Sequence, residues 1–296
     1  MRRSSARSFR EFRNSKDSTK PHYLVVGHPI SHSLSPVMHT MSLTYHGLSE
    51  RYYAVDVPTE SITDFISWMN RDNFRGCNIT IPWKQQLLSV PDQLSPEVKA
   101  IGAMNTIVKS VSSNHTILAG HNTDIHGFWE PLTEYEALLD FNTAIVFGSG
   151  GASRAVQYAL AEAGYAEIIV VSRRPGGANP LQTNAFTKAV DYTQWQSYCD
   201  NADLIINTTP LGMGSLQRSS PVQDTEIDLL KGKICYDLVY NPRRTCFLDQ
   251  GIKAGAEIIN GLDMLIQQGN RSFKLWTGKE FPVDKVRSQL VQYLES

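Results

Sequence analysis

Four strand-like apolar residues, Ala144-Ile145-Val146-Phe147, run straight into Gly148-Ser149-Gly150-Gly151-Ala152-Ser153-Arg154, and residues 155–163 then have helical composition. This strand–turn–helix pattern constrains the fold more than anything else in the chain. Closely spaced glycines permit the sharp turn and let a pyrophosphate approach the backbone, which a Cβ would prevent. The free N–H groups of the helix start, together with the helix dipole, favour anionic phosphates at that point. Nearly half of the chain precedes the turn, so a dinucleotide held there has to meet chemistry supplied by another part of the sequence.

The context downstream supports a cofactor over a merely structural turn. Glu167-Ile168-Ile169-Val170-Val171 is a second apolar run, as a strand–helix–strand unit requires. An NAD-preferring site usually ends this strand in Asp or Glu, to hold the ribose 2′-hydroxyl. Here the strand ends in Ser172-Arg173-Arg174. A carboxylate repels a 2′-phosphate, whereas guanidinium groups and a hydroxyl hold it by charge-assisted hydrogen bonds. The residues therefore point to NADP (NADPH) rather than NAD.

At 296 residues and 41% hydrophobic content, the chain can bury a core large enough for two domains. A net charge of −1 leaves no footprint for nucleic acid. No stretch approaches the ~20 apolar residues of a membrane span. Cys77, Cys199, Cys235 and Cys246 are scattered without a C-x-x-C pair, which suits a reducing, cytoplasmic setting and argues against zinc ribbons and disulfide frameworks. His28, His32 and His39 are separated by Pro29 and Pro36, which break any single helical face, so no metal site is expected. Residues 1–20 hold five Arg and two Lys against Glu11 and Asp17, with many serines, and are expected to be a disordered basic tail. A plastid transit segment shares that composition. Without those seven bases and two acids the body carries −6.

Strands are expected at residues 23–26, 51–55, 77–81 and 105–108, with helices at 35–45, 61–70 and 98–101. Ser35 with Pro36 reads as an N-cap and first helical residue, and Asp64 completes a capping-box pattern after Ser61. A helix over 125–139 leads into the dinucleotide module. Strands at 203–207, 233–238 and 257–259 follow within it, and helices at 262–276 and 283–294 close the chain. Alternating strands and helices define an α/β protein rich in parallel sheet.

Polar residues recur at the ends of the early strands, where α/β folds place ligands. They are Ser33 and Ser35, Thr80 and Lys84, Asn105, and Asn122 with Asp124. Singly, each has an ordinary structural role as a cap, a turn former or a surface lysine. Together they set an amine, a carboxylate and several hydroxyl and amide groups beside a hydride-carrying cofactor.

These segments, SHSLSP (31–36), NITIPWK (78–84), GAMNT (102–106), GHNTD (120–124), FGSGGASRA (147–155), YDLVYNP (236–242) and NGLDMLIQQG (260–269), resemble the shikimate dehydrogenase family from about residue 22 onward. The resemblance implies an NADP-dependent oxidoreductase that interconverts 3-dehydroshikimate and shikimate on the way to chorismate and the aromatic amino acids. It implies an N-terminal α/β substrate domain (21–124 and 262–296, the C-terminal helices returning to the first domain) and a Rossmann-like NADP-binding domain (125–261). It assigns Ser33 and Ser35 to the substrate carboxylate; Thr80, Asn105, Asp124 and Gln268 to ring hydroxyls; Tyr240 to a further substrate contact; and Lys84 with Asp124 to catalysis. Gly148, Ser149, Gly150, Gly151 and Ala152 fall to the pyrophosphate. Ser172, Arg173 and Arg174 fall to the 2′-phosphate, and Leu238 and Gly261 to the nicotinamide end.

The sequence departs from relatives at Ser172, where many have Asn, at His121 and at Asp263. The partners implied are the small-molecule substrate alone, with no nucleic acid or membrane, in a monomer or homodimer. A quinate or dual quinate/shikimate dehydrogenase is the nearest alternative. A non-catalytic sensor on the same scaffold would be expected to lack the lysine or the acid, and this chain keeps both. A folate-type NADP dehydrogenase gives no reason for the Ser33/Ser35 pair or for Gln268.

Overall fold

A computed structural model describes residues 6–112, 115–177 and 180–295, so residues 1–5 of the expected tail lie outside the described set. The chain divides into two compact units, Met1–Thr123 with Gly269–Ser296, and Asp124–Gln268. The second crossing between units falls inside the first C-terminal helix, seven residues later than the sequence reading places it.

The first unit runs β1 (Arg7–Ser8), α1 (Phe9–Arg13), β2 (His22–Gly27), α2 (Ser35–Tyr45), β3 (Arg51–Asp56), α3 (Ile62–Trp68), β4 (Phe74–Ile79), α4 (Trp83–Gln86), β5 (Gln93–Leu94), α5 (Pro96–Ile101), β6 (Thr106–Ser112) and β7 (His115–His121). Its sheet has the order β1-β3-β2-β4-β6-β7-β5. The first four strands are parallel, and β6 is antiparallel to both β4 and β7. Every residue of β2 is buried, as expected for a parallel strand covered on both faces.

The N-terminal segment corrects the expectation of disorder. Ser8 caps α1 in a reciprocal box with Glu11, and β1 pairs with β3 at Val55 and Asp56. Phe9 and Phe12 are buried against Phe65, Trp68, Tyr53 and His22. Arg7 meets Asp17 at 2.7 Å, and Arg13 meets Asp64 at 3.0 Å. Average composition concealed two aromatics spaced one helical turn apart, which suffice to dock a short helix on a core. Asp64 therefore serves Arg13, and no side chain caps α3 at Ser61. Ser35 also differs from expectation: Leu34 occupies the cap position of α2, and Ser35 is already helical.

The second unit runs α6 (Asp124–Trp129), β8 (Thr143–Phe147), α7 (Gly151–Glu162), β9 (Glu167–Val171), β10 (Phe186–Val190), β11 (Ala202–Asn207), β12 (Ile234–Asp237), α8 (Cys246–Ala254), β13 (Glu257–Asn260) and the start of α9 (Gly261–Thr277). The expected helix over 125–139 is interrupted: α6 ends at Trp129, and Glu130–Leu138 is 3₁₀-helical. Pro131 lacks the N–H needed to continue the α-helical ladder. The six strands are all parallel, in the order β10-β9-β8-β11-β12-β13. Numbered within the module this is 3-2-1-4-5-6, the doubly wound dinucleotide-binding order, whose direction reverses between β8 and β11. One face of the sheet packs on Phe128, Val156 and Leu160, the other on Trp195, Phe247 and Leu248. The chain ends in α10 (Val283–Glu295), which belongs to the first unit. Among the described residues no helix is long and apolar enough to cross a membrane.

Candidate active-site residues and cofactor cradle

In the first unit, adjoining strand ends carry the N-terminal candidate residues. β2 and β4 are neighbours, and the Thr80 N–H donates to Val26 O at 2.9 Å. A Cβ on Gly27 would meet Thr80 Cγ2 at 2.5 Å and Ile81 O at 2.9 Å, so the segment leading to Ser33 and Ser35 passes tightly over Thr80. The Ser35 N–H donates to Ser33 Oγ at 3.3 Å, which ties the Ser33 side chain to the start of α2. Lys84 lies in the short α4, whose Trp83 is buried with its indole N–H donating to Val57 O at 2.9 Å. The Met104 N–H donates to Lys84 O at 2.8 Å, and the Ile79 N–H to Asn105 O at 2.7 Å. Thr80, Lys84 and Asn105 are thereby held on adjoining backbones.

Asn105 is 3% exposed and firmly oriented. Its Oδ1 accepts from the Thr123 N–H at 2.8 Å and its Nδ2 donates to Thr123 Oγ1 at 2.9 Å. Behind it lies a buried polar network the sequence reading did not single out. Tyr52 OH donates to Asn78 Oδ1 at 2.7 Å, and Asn78 Nδ2 donates to Thr106 Oγ1 at 3.1 Å and Ser272 Oγ at 2.9 Å. The signal was present: an amide at a position buried on both faces of a strand has to be satisfied by partners.

In the second unit, α6 opens with Asp124, which is 6% exposed. A Cβ on Gly127 would meet Gln268 Cβ at 2.7 Å and Met264 O at 2.8 Å. That absence of a side chain lets the helix of Asp124 approach the helix of Gln268 closely. Leu238 and Gly261 are also brought together, since any Cβ on Gly261 would collide with Leu238 O.

The glycine turn fits a dinucleotide. Gly148 has φ +111°, and a Cβ there would collide with Thr208 Oγ1. At Gly150 and Gly151, by contrast, a Cβ would find nothing within 4 Å. The protein's own packing does not require glycine there, whereas a phosphate cradled on the backbone would. No side chain caps α7 at Gly150. Ser153 Oγ donates to Gly148 O at 2.7 Å, and Gln157 Nε2 donates to Ser153 Oγ at 3.0 Å, bracing the turn from below. Ser172 is buried at the end of β9, and Arg173 and Arg174 are exposed beside it.

Asp237, fully buried at the end of β12, organises the opposite end of the cradle. Its carboxylate accepts from Thr245 Oγ1 at 2.5 Å, the Val239 N–H at 3.0 Å and Asn207 Nδ2 at 2.9 Å. It ties together the segments carrying Leu238, Tyr240 and Thr208. Burial raises its pKa from 3.8 to about 6 despite these donors. Because the folded value lies above the unfolded one, ionisation of Asp237 costs stability progressively as pH rises from about 4 to about 6. Asp237→Asn is expected to flatten that dependence. The unfolding free energy of the wild type relative to the variant should fall by on the order of 2–3 kcal/mol between pH 4 and pH 7, read by urea denaturation.

A doubly wound parallel sheet with a phosphate-cradling turn at its reversal point, and arginines closing the second strand, defines a dinucleotide-dependent oxidoreductase. The chain belongs to the shikimate dehydrogenase family. The profile "Shikimate dehydrogenase substrate binding domain" matches residues 25–107, and "Shikimate 5'-dehydrogenase C-terminal domain" matches residues 261–291. Shikimate dehydrogenase (NADP(+)) of Caldanaerobacter subterraneus is 34% identical over 93% of this chain and 99% of its own length. The shikimate 5-dehydrogenase of Thermus thermophilus, solved with NADP(H) and shikimate, is 34% identical with a TM-score of 0.79, covering 92% of this chain and 99% of its own. A quinate dehydrogenase of Corynebacterium glutamicum, solved with NAD, has a TM-score of 0.81 at 27% identity, covering 92% of this chain and 99% of its own.

Proposed function

We propose that the protein reversibly reduces 3-dehydroshikimate to shikimate with NADPH, in the route to chorismate and the aromatic amino acids. The observation that carries this reading is the combination of the Ser33/Ser35 pair with a β9 that ends in Ser172-Arg173-Arg174. Two hydroxyls and the start of α2 suit a substrate carboxylate, and the guanidinium groups suit a 2′-phosphate. The four free cysteines accord with a cytoplasmic location.

Bound NADPH supplies the hydride. The chain's own groups handle the substrate and its proton. Ser33 and Ser35 anchor the carboxylate, while Thr80, Asn105, Gln268 and Tyr240 fix the ring by its hydroxyls. Lys84 Nζ gives a proton to the carbonyl oxygen as it becomes an alkoxide, and takes it back in the reverse direction. The carboxylate of Asp124 orients that ammonium and stabilises its charge. Proton transfer of this kind is worth ~10²–10⁴-fold in rate.

Quinate differs by an extra hydroxyl on the carbon bearing the carboxylate. The likeness to the quinate dehydrogenase and to the shikimate enzymes is similar in TM-score, so the fold alone does not separate them. Assay of both substrates with both cofactors does. The expected result is a kcat/KM for shikimate with NADP⁺ ~10²-fold above that for quinate, and above that for shikimate with NAD⁺. Equal turnover of quinate, or indifference to the 2′-phosphate, would overturn the assignment.

A further inference from the structure

We propose that Ser149 and Ser172 form a single hydroxyl pair that reads the 2′ position of the adenosine ribose, with Ser149 acting through its side chain and not through its backbone alone. The inference rests on the dinucleotide reading of the second unit and adds a specificity determinant to it.

Ser149 follows Gly148 at the end of β8, and its position in the glycine turn suggests only a main-chain contact with pyrophosphate. The geometry points elsewhere. Phe147 and Val171 are register partners in the parallel β8–β9 pair, and the Gly148 N–H donates to Val171 O at 2.9 Å. The two strand ends are thus locked side by side. Ser149 Oγ lies 3.3 Å from Ser172 Oγ. The side chain therefore reaches across to the end of β9, where the ribose 2′ group is read in this class of fold. Ser172 is 9% exposed and has a defined role, since its Oγ also accepts from the Arg174 N–H at 3.3 Å. That bond fixes the loop bearing the two exposed guanidinium groups.

Counting protons shows what the pair can do. Two hydroxyls carry two protons, and one is spent between them, so one donor remains for a ligand along with unused lone pairs. Facing a 2′-phosphate, the pair donates. Facing a 2′-hydroxyl, it meets no charged acceptor and gains only a weak neutral bond. A carboxylate at the end of β9 could only accept, and would repel the phosphate. The arginines then supply charge, and the serine pair supplies direction. Arg174 is coupled to the pair through the bond from its backbone N–H to Ser172 Oγ.

The test is direct binding, by calorimetry on the full chain, of adenosine 2′,5′-bisphosphate and of 5′-AMP, two probes that differ at the 2′ position. Ser149→Ala is expected to weaken binding of the bisphosphate about tenfold, as loss of one hydrogen bond to a charged group does, and to leave 5′-AMP within twofold. Ser149→Thr, which restores the hydroxyl, should bind both probes like the wild type. Ser172→Ala should resemble Ser149→Ala, and the double variant should be little worse than either, because the residues act as one unit. Equal weakening of both probes by Ser149→Ala, or no weakening of either, would overturn the pair. A wild type that does not prefer the bisphosphate over 5′-AMP would instead overturn the NADP reading, and the pair with it.

Discussion

Replacing Lys84 with alanine is expected to lower kcat for shikimate oxidation by ~10²–10⁴-fold, the range associated with a positioned general acid or base. The affinity for NADP⁺, measured by quenching of intrinsic fluorescence, should stay within a factor of about two. The separation follows from where the residue sits. Lys84 is held in α4, between buried Trp83 and a main-chain bond from Met104, in a unit distinct from the one that carries the glycine turn. Truncating its side chain leaves those backbone bonds in place, so a change in kcat reports the missing amine and not a displaced loop. A kcat within about threefold of wild type would remove Lys84 from the chemistry. Lys84→Arg tests the same point from another side, since a guanidinium keeps the charge but gives up its proton far less readily.

Phe12→Ala is expected to destabilise the first unit by ~3–5 kcal/mol, the usual loss for a fully buried aromatic cut to alanine. The ring is wholly inaccessible and lies 5.2–5.8 Å, centroid to centroid, from His22, Tyr53 and Trp68. Its removal leaves a cavity among rings that β2, β3 and α3 hold in fixed positions. The consequence reaches toward the proposed carboxylate-binding serines. β1 completes the sheet beside Val55 and Asp56, and Asp56 pairs with His28 Nδ1 at 3.0 Å at the head of the segment bearing Ser33. Urea denaturation followed by tryptophan fluorescence should show the midpoint shift. A loss below about 1 kcal/mol would mean that the segment rests on the sheet without supporting it.

In the second unit β8, β9, β11 and β12 were legible because they are largely continuous apolar runs, and α7 because the glycine turn announces it, whereas α8 (Cys246–Ala254) was not read from the sequence. Gly148 to Ala152 announced the turn, and Glu167 to Val171 announced the strand beside it. Two further strands, β10 at the edge of the second unit's sheet and β7 in the first unit, were not legible either. β10, Phe186-Thr187-Lys188-Ala189-Val190, mixes exposed and half-buried residues, so its pattern is weak. β7 pairs with β6 as a hairpin whose exposed positions dilute the apolar signal. The N-terminal segment misled for a different reason. Its arginines and serines dominate the composition, while the two phenylalanines that anchor it are visible only as a local pair.

Among the proposed site residues, local motifs pointed to Ser33, Ser35, Thr80, Lys84 and Asn105, but not to what supports them. The network of Tyr52, Asn78, Thr106, Thr123 and Ser272 joins residues far apart in the chain, and only tertiary folding brings them together. Asp237 and Gly127 were missed similarly. Their importance lies in what they permit neighbouring segments to do, which no single motif encodes.

The proposal that Lys84 and Asp124 act on one proton is tested most directly by a kinetic cycle of Lys84→Met, Asp124→Asn and the double variant, with kcat for shikimate and NADP⁺ as the readout. If the two groups are one catalytic unit, the double variant falls to about the same floor as the worse single variant, as residues acting together do. Losses that multiply, so that the double variant is slower than either single variant by the full factor of the other, would show two independent contributions and contradict the account.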